Sequence, residues 1–136
     1  MTPEAIARLQ HLATLRRRKA EADLAAALAR RNAVAAEEAA LRRPAETLPA
    51  HGACDPGLLT AVASREQWRH ARHAVLARSL QTAEARLGPA RQDLAVAHGR
   101  ALALDDIADK LDRRRVQERQ RRLDDAPPAS RPRPGP

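Results

Sequence analysis

The chain has 136 residues, a net charge of +8 and a single aromatic side chain, Trp68. That length holds one domain and not two. Ala, Arg and Leu dominate, and the large aliphatic side chains are too few for a thick, many-layered core. Ala, Glu, Lys, Leu and Arg together supply 82 residues, the composition of long helices or coiled coil when the spacing agrees and of disorder when it does not. The basic balance favours acidic partners: nucleic acid, anionic lipid or an acidic protein surface. Cys54 is the only cysteine, which excludes an internal disulfide and fits a reducing compartment. The first residues lack the apolar run of a cleaved signal, and no stretch approaches the eighteen or so apolar residues of a membrane span. The expected location is cytoplasmic.

Thr2-Pro3-Glu4 opens a helix: a Thr cap, Pro at the first helical position and an acid in the first turn. No Gly or Pro follows until Pro44, so residues 1–43 form the first helical segment. Positions 6, 13, 20, 27, 34 and 41 are Ile, Ala, Ala, Ala, Val and Leu, all apolar at a spacing of seven. In the companion row Leu9 and Leu24 fit an apolar seam, whereas Arg17, Arg31 and Glu38 do not. Residues 44–57 hold three prolines and two glycines and read as a loop, with Asp55-Pro56 starting a second helix over 58–125.

That second helix carries the strongest pattern. From Leu76 through Leu80, Ala83, Leu87, Ala90, Leu94, Ala97, Ala101, Leu104 and Ala108 to Leu111, every position in alternating steps of four and three is apolar. This is a heptad seam over five repeats. Gly88-Pro89 interrupts the helix without disturbing the phase, which predicts a kink at 88–89 rather than a reversal. Residues 126–136 carry five prolines and read as a disordered Pro-rich tail.

The expected fold is all-α: a long antiparallel two-helix coiled-coil hairpin with a longer, kinked second helix. If the loop turns tightly, Arg43 faces Gly57, and residues beyond about His98 overhang the first helix. The overhang then holds Ala101, Leu104, Ala108 and Leu111, an uncovered seam that calls for a partner.

Catalytic signals are absent: there is no Gly-rich phosphate loop, no G-x-S-x-G and no H-E-x-x-H. Neither an enzyme nor a cofactor is expected. His70 and His73 stand three apart, a spacing that suits a metal, but no third ligand is evident and no metal site is expected. Arg113, Arg114, Arg115, Arg119, Arg121 and Arg122 form a basic run that acids interrupt, so no DNA is expected as a partner. Trp68 either packs near Glu38 or Leu41 or stands out as an anchor for a partner.

The stretch Arg65-Glu66-Gln67-Trp68, followed by Val75-Leu76-Ala77-Arg78-Ser79-Leu80 and then Leu87, resembles one early in helix 2 of a known family. The closing segment Val116-Gln117-Glu118-Arg119-Gln120-Arg121-Arg122 is similar to that family's polar helix end. The family is that of the small stalk proteins of type III export systems, FliJ of the flagellum and the YscO/HrpO-like proteins of injectisomes. Over residues 1–125 the size, the two-helix layout and the basic charge resemble it too. The resemblance implies a non-catalytic cytoplasmic stalk, peripheral to the inner-membrane export apparatus. It implies as partners a hexameric export ATPase, an export gate protein and secretion chaperones. It places Leu104, Leu111, Arg114, Arg115 and Arg119 in the ATPase ring, and Trp68, Val75, Leu76 and Leu80 at the gate. Two other readings stay open: a basic coiled coil that binds nucleic acid, and a homo-oligomeric coiled-coil scaffold.

Overall fold

The computed structural model describes residues 1–43, 55–129 and 135. It consists of two long helices packed side by side, α1 (Pro3–Arg42) and α2 (Pro56–Asp124), an all-α helical hairpin. At 1.5 Å per residue they run about 60 Å and about 100 Å. Most of the expected loop, residues 44–54, and most of the Pro-rich tail, residues 130–134 and 136, lie outside the described residues.

Both helices start where the capping chemistry says they should. Thr2 keeps an extended backbone, and its hydroxyl oxygen accepts from the Ala5 N–H at 3.2 Å. Asp55 does the same for α2, accepting from the Gly57 N–H at 3.0 Å. Each cap is followed by Pro, whose missing N–H is no loss in a first turn. Removing the first cap with Thr2→Ala is expected to lower stability by about 1 kcal/mol, read as a fall in the denaturant midpoint at unchanged slope. At the other end of α1, Arg43 turns extended ahead of Pro44, as a residue before proline prefers. The Arg69 guanidinium of α2 donates to the orphaned carbonyl of Leu41 and, at 3.2 Å, to that of Arg43. A cation there also complements the helix dipole.

α2 is continuous through Gly88-Pro89, so the chain does not divide there. Its eleven seam positions from Leu76 to Leu111 are all buried or half-buried, as the heptad phase requires. The buried core consists of Ile6, Ala13, Ala20 and Val34 against Leu76, Ala83, Leu87 and Ala101, with no polar side chain among them. Half of that core is alanine. The companion row of α1 differs from expectation. Leu9 is 40% exposed, and Gln10 occupies the half-buried seam position instead. Arg17, Arg31 and Glu38 are half-buried in the same row, and the Nε atoms of both arginines are buried there without a hydrogen-bond partner among the described residues.

The register also differs from a tight turn. Gln10 donates to Asp105 at 2.8 Å, and Arg31 lies 3.9 Å from Glu84; the residue numbers of each pair add up to 115 rather than 100. Nearer the turn, Arg72 pairs with Glu37 at 2.9 Å. Arg43 therefore sits beside Arg69, not Gly57. The physical reason is a nearly uniform Ala/Leu seam, which fits itself at more than one heptad offset. The specific polar contacts are what distinguish one offset from the next.

Candidate functional site

The register decides which surfaces remain for a partner. The expected overhang from Ala101 to Leu111 does not exist as an uncovered seam, because α1 covers it. Ala101 is buried, and Leu104, Ala108 and Leu111 are half-buried. Leu104 borders a groove with Leu9 and Ala13, and Leu111 lies by Pro3, Ile6 and Gln10. Arg115, 3.9 Å from Asp112, closes the same corner. The unpaired part of α2 starts after Arg115, and there Val116 and Leu123 are 64% and 70% exposed. Arg114 and Arg119 are exposed at this end.

A second unpaired stretch stands at the opposite end. α1 stops beside Arg69, so the first turns of α2 run past it, with Leu58 and Leu59 exposed. Here the four residues implied at the gate divide. Leu76 is buried and Leu80 half-buried, both within the seam of the hairpin. Trp68 and Val75 are 60% and 49% exposed. Trp68 borders an open groove together with Ala40, Leu41 and Arg72 and keeps most of its surface open.

Trp68 and Val75 are seven apart and belong to one row along α2, continued by Thr82, Pro89, Val96 and Ala103, every member exposed. On the same face α1 presents Leu12, Lys19, Ala26, Ala33 and Ala40. Between the two rows lies a shallow groove, lined near its middle by Ala20, Ala27, Ala83 and Ala90. Its charged rim is banded. Arg16 and Lys19 on α1 share one stretch of it with Arg100 on α2. One heptad on, Asp23 shares it with Asp93, and one heptad further Arg30 shares it with Arg86. Like charge thus stands across from like charge at three successive levels. None of these charges has an ion-pair partner within 4.0 Å among the described residues.

The remaining polar groups are structural in their contacts. Glu38 is held by Arg42 at 2.7 Å and approached by His73 at 3.8 Å. His70 is exposed. Among the described residues no group of three or more His, Cys, Asp or Glu side chains could hold a metal. The grooves between the helices are open clefts rather than enclosed cavities. Among the described residues no helix is long and apolar enough to cross a membrane.

Sequence reasoning left Trp68 open between packing on α1 and standing outward and singled out Val75 only through the resemblance; both are exposed. It missed Val116, Leu123 and the charge bands, although the seven-residue spacing of Arg16, Asp23 and Arg30 is plain in the sequence. Bands acquire meaning only once the register shows what stands across from them. No family model, curated protein or solved structure matches the chain.

Proposed function

We propose that the chain is a non-catalytic stalk of a type III protein export apparatus, linking a hexameric export ATPase to an export gate from the cytoplasmic side. One observation supports this reading most directly: α2 runs unpaired past α1 at both of its ends. A rod about 100 Å long whose ends both extend past α1, among the described residues, is suited to hold two partners apart and to pass movement between them. A lone hairpin needs neither extension for its own stability.

On this reading the ring contact lies with Arg114 and Arg119, joined by the exposed Val116 and Leu123. Leu104, Leu111 and Arg115 support that end from within the hairpin. Trp68 meets the gate, while Leu76 and Leu80 hold the helix that presents it. Tryptophan and arginine side chains are the usual anchors of an interface.

The test is binding and turnover of a matched hexameric export ATPase. The full chain is expected to bind it and to raise its rate of ATP hydrolysis. Val116→Asp together with Leu123→Asp is expected to reduce binding at least tenfold while the helical circular dichroism signal stays unchanged. A matched ATPase that ignores the chain at low salt would sink the proposal.

A further inference from the structure

The banded groove has a symmetry of its own. Along α1 the charges read positive, negative, positive, negative at Arg16, Asp23, Arg30 and Glu37, one heptad apart. Along α2 Arg100, Asp93 and Arg86 repeat the first three signs at the same levels. Turn such a face over end for end about a point between the second and third bands, and both central bands meet the opposite sign on each helix. Asp23 then meets Arg30 and Asp93 meets Arg86. Arg16 falls on Glu37.

We infer that this face is the contact between two copies of the chain, packed antiparallel about a two-fold axis that crosses α1 near Ala26 and Ala27 and α2 near Pro89 and Ala90. Three independent features meet at that axis. The first is the sign reversal of the bands. The second is the size of the side chains there: Ala26, Ala27, Pro89 and Ala90 let two layers approach closely. The third is length. Residue 90 is the midpoint of α2 (Pro56–Asp124), so the two copies of α2 overlap from end to end and finish level. A two-fold axis parallel to the helices would set each band on its own sign and is excluded by repulsion.

The packing covers surface that the single hairpin leaves open. Leu12, Val75 and Val96, each 42–49% exposed, lie on the contact face. Val96 comes level with Thr82 of the second copy, and Val75 with its Ala103. The like-charge levels also gain partners: each chain alone sets Asp23 across from Asp93 and Arg30 across from Arg86, and the second copy brings the opposite charge to both. The net charge of +8 makes two copies repel at a distance, and salt near physiological strength screens this beyond about 8 Å.

Sedimentation equilibrium of the full chain in roughly 0.15 M salt is expected to give twice the 14.9 kDa chain mass. Asp23→Arg with Asp93→Arg leaves positive against positive at the axis, and Arg30→Asp with Arg86→Asp leaves negative against negative there. Each double variant alone is expected to dissociate at least tenfold more readily. Mixed in equal amounts, the two are expected to associate again, because every reversed charge finds its complement in the other chain. All seven charges on the rim are on open clefts, and circular dichroism checks that each variant keeps its helices. As a second measurement, Ala26→Cys in a chain carrying Cys54→Ser is expected to cross-link into dimers, while Ala25→Cys, on the other face of α1, is not. A wild-type chain that stays monomeric, double variants that associate as the wild type does, or equal cross-linking from both cysteines would each overturn the inference.

Discussion

Replacing Pro89 with Ala is expected to stabilise the hairpin by about 3 kcal/mol. Pro89 lies in the interior of α2, where it removes one backbone donor and leaves the Ala85 carbonyl without its helical partner. Its side chain is exposed on the single hairpin, so little packing within the hairpin is lost with it. Gly88→Ala and Gly99→Ala add about 1 kcal/mol each, because a methyl group at either position meets nothing within 4 Å. No described residue needs a positive φ that alanine would resist. For a chain of this size 1 kcal/mol moves the melting temperature by roughly 2–8 °C. Pro89→Ala alone is therefore expected to raise it by about 10 °C at fixed protein concentration. An unchanged melt would mean that the helix between Ala85 and Asp93 does not close into regular hydrogen bonding once the proline is gone.

The opposite effect is expected from the core. Leu76 and Leu87 are 4% and 7% exposed and are the two leucines among eight buried side chains. Truncating a buried leucine to alanine costs about 2–5 kcal/mol. Four of the eight are already alanine, so neighbours have little bulk with which to refill the gap. Small domains hold about 5–15 kcal/mol in all. Leu76→Ala with Leu87→Ala is thus expected to abolish most of the helical circular dichroism at 25 °C, with each single change lowering the denaturant midpoint. Leu102→Ala serves as the comparison: its side chain is 55% exposed, and the change should stay within about 0.5 kcal/mol. Equal losses from Leu102 and Leu87 would show that the seam does not lie where the helices are packed.

The fold was legible because heptad spacing is a geometric signal. Eleven apolar positions from Leu76 to Leu111 could only mean one helical face, and the caps at Thr2 and Asp55 marked where each helix starts. The register was not legible. An alanine-rich seam has little shape to prefer one offset over another, and the length of a connecting segment does not fix how far one helix slides along its neighbour. The offset shows in polar contacts, Gln10 with Asp105 and Arg31 with Glu84, whose partners lie far apart in sequence. Choosing Leu9 over Gln10 for the seam followed the rule that apolar residues go inside, and the geometry of the helix overrode it. The same slide moved Leu104 and Leu111 under α1 and moved the exposed end on to Val116 and Leu123. Trp68 kept its place because its surface depends on its own row rather than on the offset.

That one tryptophan has a practical consequence. With no Tyr or Phe in the chain, all near-ultraviolet absorbance and emission arise at a single point, near where α1 ends. The indole is 60% open to water, so its free-state emission is that of a wetted ring. Whatever settles on that half of the rod dries the ring, moves the emission to the blue and shields it from a soluble quencher. The unlabelled chain therefore reports binding at that one point of each hairpin.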